Sequence, residues 1–174
     1  EKLFDLETIY TNLANSSLIG ILAVGNSKGF AVSEIVEESE VKELEEAGIR
    51  IKKVPDTTAI GNLVACNDSK AFCSKVVSKK ARKEIAEALK VEIVETTVAE
   101  SDLVGSGLVL SNKGFIANPL VSEGEFKKIE KETGLEGTTA TANFGDKFVG
   151  NSVVANSNAA LAGNKTSGHE LIRI

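Results

Sequence analysis

The chain contains no methionine and only one histidine. With no initiator, these 174 residues are expected to be a processed, trimmed or incompletely represented chain. A single histidine limits the acid–base and metal chemistry open to the protein. Its two cysteines lie in or beside apolar strands and lack CxxC spacing. They read as reduced, buried thiols of a cytosolic protein rather than as a disulfide or a metal site. No apolar run approaches the length of a membrane helix, no signal-peptide pattern is present, and no GxxxxGK phosphate loop occurs. A net charge of −5 argues against a general nucleic-acid binder, which is normally basic, but leaves room for docking through a local patch. Neither a cofactor nor a membrane partner is expected.

What the sequence does have is one phrase used four times. Its clearest copy, Thr58-Ala59-Ile60-Gly61-Asn62-Leu63-Val64-Ala65-Cys66-Asn67-Asp68, reads as two apolar residues, a glycine, a short apolar strand and an asparagine turn. The others run from Leu18-Ile19-Gly20 to Asn26, from Leu103-Val104-Gly105 to Asn112 and from Phe148-Val149-Gly150 to Asn156. Their glycines are 41, 44 and 45 residues apart, a period that marks a repeat of one supersecondary unit. Glycine to asparagine is 6, 6, 7 and 6 residues, which implies one insertion in the third copy. A glycine here tolerates either a positive φ or the close approach of another backbone, which a side chain would block. Ile21-Leu22-Ala23-Val24, Leu63-Val64-Ala65-Cys66, Leu108-Val109-Leu110 and Val153-Val154-Ala155 are continuous runs, which predicts strands buried on both faces. Asn26-Ser27-Lys28-Gly29 and Asn112-Lys113-Gly114 predict hairpin turns, with weaker signals at Asn67-Asp68 and Asn156-Ser157-Asn158.

Taken in order, Glu1 to Thr8 reads as the end of a helix and Ile9 to Leu13 as a strand. Glu34 to Glu46 reads as a helix with the stripe Val41, Leu44, Ala47, stopped by Gly48. Ile49 to Val54 follows as a strand. Ser78 caps a second helix with the stripe Ala81, Ile85, Ala88, Leu89, and Val91 to Val98 is strand-like. Ser122 and Glu125 form a capping box, with Val121 and Phe126 as a hydrophobic staple, and that helix ends at Gly134. Leu135 to Asn143 reads as a strand, and Thr166 to Ile174 as the start of a helix. Each unit is strand, glycine phrase, hairpin, strand, helix, with the helix packed by one stripe against its sheet. The expectation is a single α/β domain over residues 1–174, with incomplete units at both ends. A ring or propeller, with Gly20, Gly61, Gly105 and Gly150 equivalent by rotation, fits better than an open solenoid.

The phrases at 59–68, Ser16 to Gly29, Leu103-Val104-Gly105-Ser106, Ser111-Asn112-Lys113-Gly114 and Thr166-Ser167-Gly168-His169-Glu170-Leu171 occur together and in order. Through them essentially the whole chain resembles the translation initiation factor six family. The resemblance implies a pentein-type propeller of five strand-and-helix units about a pseudo-fivefold axis. Four units are visible here, which with the missing methionine favours a trimmed chain over a natural four-unit ring. With no long eukaryotic tail, the chain is similar to archaeal members. The resemblance further implies a cytoplasmic ribosome anti-association factor, expected to be a monomer. Such a factor binds the large ribosomal subunit, through ribosomal proteins and nearby ribosomal RNA, and blocks joining of the small subunit. A role in large-subunit biogenesis, and release by a GTPase and its helper protein, are implied as well.

The same resemblance puts ribosome-binding residues in the glycine phrase. Asn62 leads, with Gly61 and the pseudo-equivalents Ile21, Ser106 and Asn151. Ile21 stands where a polar or basic residue is usual. The structural alternative for Asn62 is an asparagine that satisfies backbone groups beside its strand. Lys75, Lys79, Lys80, Arg82 and Lys83 form the basic cluster, from which Lys79, Lys80 and Lys83 could contact RNA phosphate. A solvated helix face offsetting Glu34, Glu37, Glu38, Glu40, Glu43, Glu45 and Glu46 is the preferred reading of those lysines. Penteins also include guanidine-modifying hydrolases and transferases, the competing reading, which use a cysteine nucleophile, a histidine and two carboxylates. Here Cys66 and Cys73 precede His169, the reverse of the usual order. Cys66 also lies in an apolar run, where burial makes a thiol inert. An enzyme is not expected.

Overall fold

A computed structural model describes residues 8–174, so most of the helix end expected at Glu1–Thr8 lies outside the described residues. Small sheets alternate with helices, and no sheet among the described residues closes into a barrel. The first stretch runs α1 (Ile19–Leu22), β1 (Ala23–Asn26), β2 (Gly29–Ser33), α2 (Glu38–Glu46), β3 (Ile51–Val54). The second runs α3 (Ile60–Leu63), β4 (Val64–Cys66), β5 (Lys70–Ser74), α4 (Lys79–Leu89), β6 (Glu92–Thr96). The third runs α5 (Val104–Gly107), β7 (Leu108–Leu110), β8 (Phe115–Ala117), α6 (Glu123–Thr133), β9 (Gly137–Thr139). The fourth has a 3-10 turn at Val149–Asn151, β10 (Val153–Ala155), β11 (Ala160–Ala162) and α7 (Gly168–Leu171). Sheets β1-β2-β3, β4-β5-β6 and β7-β8-β9 each join an antiparallel hairpin to a parallel third strand, whereas β10 and β11 pair alone.

Several local expectations need correction. Ile21, Leu22 and Leu63 lie in helical turns, and the strands start only at Ala23 and Val64. A short apolar run suits either conformation, so its residue types do not fix the boundary. Val154 is 67% exposed and every residue of β1 is only half-buried, so burial on both faces fails for β10, which has no third strand among the described residues, and for β1, which has one. Ile9 to Asn12 form no ladder, and only Leu13 bridges, to Ser16. The long threonine-rich strand shrinks to Gly137–Thr139. Helix α2 starts at Glu38 rather than Glu34, and Ala47 is its exposed C-cap rather than part of the stripe.

The third hairpin carries no insertion. Asn67 N donates to Lys70 O, Ser111 N to Gly114 O and Asn156 N to Ala159 O, each at 3.0 Å, so each turn opens six residues past its glycine. Ser111 takes the asparagine's place. Its hydroxyl accepts from Lys113 N at 3.1 Å and Gly114 N at 3.2 Å, as Asn67 Oδ1 accepts from Ser69 N and Lys70 N.

The long helices are wedges. Ala81, Ile85 and Leu89 of α4 are fully buried between Ala31 and Val54 of the first sheet and Ala71 and Cys73 of the second. Ile129 of α6 sits in the same way with Phe72 and Val94 of the second sheet and Phe115 and Ala117 of the third. Val121 and Phe126 pack against that core, with the Phe115 and Phe126 rings 5.0 Å apart. The Ser122–Glu125 capping box forms, Ser78 Oγ accepts from Ala81 N at 3.1 Å, and Gly134 ends its helix at φ +68°.

A glutamate at the third position of α2, α6 and α7 ties each helix start to the turn before its sheet. Glu40 accepts from Ala14 N and Asn15 N at 2.8 and 2.9 Å, Glu125 from Ala99 N and Glu100 N at 3.2 Å, and Glu170 from Gly145 N at 2.9 Å. Helix α4 has Ala81 there instead. The N–H groups of Ser167 and Gly145 pull the Glu170 carboxyl down to about 2. Burial raises the Glu40 and Glu125 carboxyls, but their several hydrogen-bond donors leave both below the ordinary value. All three are depressed in the fold, so their stabilisation is complete above the unfolded carboxylate range and is lost as pH falls. The melting temperature is expected to drop between about pH 5 and pH 2. Glu170→Gln should lower it at neutral pH and flatten that acid limb. An unchanged limb in a pH series of thermal melts would contradict the assignment.

Candidate functional site

The glycine turns meet backbone to backbone. A Cβ on Gly61 would overlap Gly20 O and come within 2.8 Å of Ala23 O. One on Gly105 would overlap Gly61 O and lie 2.6 Å from Val64 O, and one on Gly150 would overlap Gly105 O. No Cβ fits at these three positions. Gly20, at the start of the series, has no neighbour among the described residues where a Cβ would go.

The residues that follow these glycines are drawn into one row. Ser106 Oγ donates to Asn62 Oδ1 at 3.3 Å, so the carboxamide links two successive turns. Ile21 is 37% exposed and Asn151 is exposed, while Asn62 is half-buried. Ser106 is only 4% exposed, so its hydroxyl supports Asn62 and presents little surface of its own. Leu18 and Leu103, at 60% and 40% exposure, flank the row.

Topology adds to this side. Because β2, β5 and β8 run antiparallel to the strands leaving the glycine turns, the loops after them emerge beside those turns. These loops expose Ile35, Val76 and Leu120 at 49%, 62% and 64%. Sequence reasoning passed over this apolar set, although its spacings of 41 and 44 match those of the glycines.

The basic cluster divides. Arg82 forms an ion pair with Glu95, and Lys83 lies 3.8 Å from Glu87. Lys79 and Lys80 are exposed in the first turn of α4 with no ion pair among the described residues. Cations at a helix N-terminus oppose its dipole, so this pair does not serve the helix.

On the hairpin side, at the far end of the sheets, the first three turns bond to one another, while a cavity of about 480 Å³ opens between the third and fourth hairpins. Asn26 Nδ2 donates to Asn67 O at 3.0 Å and Leu89 O at 2.9 Å, and Asn67 Nδ2 donates to Ser111 O at 3.1 Å. Asp68 accepts from Ser27 N at 3.0 Å and from Asn112 Nδ2 at 2.7 Å. Burial raises the Asp68 carboxyl, but these donors and nearby Lys28 hold it below its ordinary value. The hairpin asparagines are therefore structural, and the glycine-turn side is the candidate interface.

Burial pushes both thiols up to about 12, so Cys66 and Cys73 stay protonated. Cys66 Sγ donates to Gly25 O at 3.2 Å, and His169 is exposed on α7. Among the described residues no group of histidine, cysteine and carboxylate side chains could hold a metal ion, and no helix is long and apolar enough to cross a membrane.

The model of the eIF-6 family matches residues 1–174. The translation initiation factor 6 of Methanosarcina mazei is 37% identical over 177 residues, spanning 100% of this chain and 79% of the relative. That of Pyrococcus horikoshii is 35% identical over 173 residues, spanning 95% of this chain and 76% of the relative. That of Methanocaldococcus jannaschii is 34% identical over 182 residues, spanning 99% and 79%. A match along the full sequence, with identities of this size, means that the chain belongs to the eIF-6 family.

Proposed function

We propose that this protein is a ribosome anti-association factor. It binds the large ribosomal subunit by its glycine-turn side and blocks the small subunit sterically. The observation that carries the reading is the row Ile21, Asn62 and Asn151 set on turns whose backbones touch. Such a platform cannot rearrange on binding, and small polar groups on it permit a partner to approach closely. Ser106 supports Asn62 from within, and Gly61 keeps the platform tight. Lys79 and Lys80, with Lys83 beside them, supply phosphate contacts that offset the repulsion between an acidic chain and ribosomal RNA.

On this reading the three three-stranded sheets and the last hairpin are units of a pentein-type propeller turning about the line of glycines, within one domain over residues 1–174. A cytoplasmic monomer follows. So do a role in large-subunit maturation, and release by a GTPase with a helper protein. A guanidine-modifying enzyme would require a thiolate, and two protonated thiols, Cys73 buried and Cys66 half-buried, support the binding reading instead.

Sedimentation tests it. The protein should co-migrate with free large subunits in a sucrose gradient and reduce the joined-ribosome peak when small subunits are added. Protein that stays at the top of the gradient, with joining unaffected, would end the proposal.

A further inference from the structure

One turn on the glycine side departs from its counterparts. Leu13 and Val98 close two-residue turns onto Ser16 and Ser101, with Ala14, Asn15, Ala99 and Glu100 all at positive φ. The corresponding turn closes Ala142 onto Asp146 around three residues, Asn143, Phe144 and Gly145, at φ +50°, +75° and +86°. An aromatic residue thus occupies the left-handed region, which is strained for a bulky side chain. Its ring is 87% exposed, so burial does not compensate.

The turn is firmly held. Ala142 and Asp146 exchange both backbone hydrogen bonds, at 3.0 and 2.8 Å. Gly145 N donates to Glu170 Oε1, Asn143 N to Thr166 Oγ1 at 3.0 Å, and Lys165 N to Asn143 Oδ1 at 3.3 Å. The ring is therefore projected by a fixed scaffold. Lys165, whose N–H is tied to Asn143, and Lys147, just past the turn, are exposed and without an ion pair among the described residues, with the Lys147 ammonium 5.8 Å from the centre of the Phe148 ring. The nearby carboxylates face inward: Glu170 accepts from Ser167 N, Gly145 N and Thr141 Oγ1, and Asp146 Oδ1 accepts from Phe148 N.

We infer that Phe144 is a stacking platform for an unpaired RNA base, with Lys147 and Lys165 on the adjoining phosphates. A phenyl ring stacks on any base, because every base has a π face, while lysines attract phosphate without reading sequence. A protein pocket deep enough to take the ring would have to pair or desolvate both lysines, whereas one nucleotide step satisfies ring and cations together. The inference rests on the ribosome-binding reading and gives its RNA contact a place in the fourth stretch of the chain.

The chain lacks tryptophan, so Phe144→Trp installs a single reporter at the site. A mixed-sequence single-stranded RNA decamer should quench its fluorescence, less so as salt rises or when Lys147 and Lys165 are both changed to glutamate. On large subunits Phe144→Ala should weaken binding about tenfold, while Phe144→Trp keeps it. Phe144→Gly should lose affinity like alanine yet melt no lower than the native protein, because it relieves the strained φ. Absence of quenching by RNA, or quenching by an acidic peptide instead, would overturn the inference. Subunit binding by Phe144→Ala equal to the native protein, with Asn62→Arg defective, would remove the stacking role and leave the anti-association reading intact. Failure of the native protein to bind subunits would remove that reading, and the inference with it.

Discussion

Gly105→Ala is expected to cost more than about 3 kcal/mol and Gly61→Ala as much, while Gly20→Ala leaves stability within about 0.5 kcal/mol. The three glycines are indistinguishable in sequence context, yet they differ in what surrounds them. At Gly105 the added methyl would meet Gly61 O, Val64 O and the Asn62 carbonyl carbon, and at Gly61 it would meet Gly20 O and Ala23 O. All are backbone atoms, so no rotamer change relieves the clash. Whole turns must move apart, and with them the strands they start. Small domains are stable by only about 5–15 kcal/mol, so one such change is a large fraction of the total. At Gly20 the methyl meets nothing among the described residues, and alanine restricts the unfolded chain, which offsets any small loss. Urea melts of the three variants make the comparison directly. Equal midpoints for Gly20→Ala and Gly105→Ala would mean that the turns do not pack as described.

Asn62→Arg should weaken large-subunit binding by more than tenfold, about 1.4 kcal/mol or more. The carboxamide lies half-buried on a turn that cannot yield, so a longer side chain must project into the space a partner would fill. The bond it accepts from Ser106 would be lost, which limits the stability change to about 1 kcal/mol. Binding and melting should therefore separate clearly. Lys79→Glu with Lys83→Glu is the companion variant, titrated against the same purified subunits. If the lysines proved decisive and Asn62 neutral, the interface would lie along α4. Tighter binding by Asn62→Arg would instead put phosphate opposite the glycine turns.

Where two backbones meet, only glycine is possible, so that constraint survives in the sequence as a single letter at a fixed period. The same holds for Gly134 in the left-handed region and for the Ser122–Glu125 box. Other features hid because more than one residue type serves them. A hydroxyl and a carboxamide can each accept from the same two turn N–H groups, which is how Ser111 came to stand for an asparagine and suggest an insertion. Glu40 was absorbed into an acidic surface, since composition does not separate a carboxylate bonded to N–H groups from one in water. At the candidate site, period alone placed Asn62 beside Ser106. The burial of Ser106 did not follow, because it depends on how closely the next turn packs. Phe144 stands in a turn one residue longer than its counterparts, a difference of length that no local preference announces.

Helix α4 covers the outer face of a sheet that was made before it. Ala31 and Val54 share a core with Ala81, Ile85 and Leu89, which are made later, and Phe72 and Val94 stand in the same relation to Ile129 of α6. During synthesis from the N-terminus, each sheet must therefore stay half-finished until the following helix has left the exit tunnel. Folding then trails elongation by one helix throughout. The growing chain always shows one uncovered apolar face, the surface that chaperones and stray aggregation compete for. A pause in translation before α4 has emerged would prolong that exposure, whereas a pause after it has cleared the tunnel would let the first sheet close.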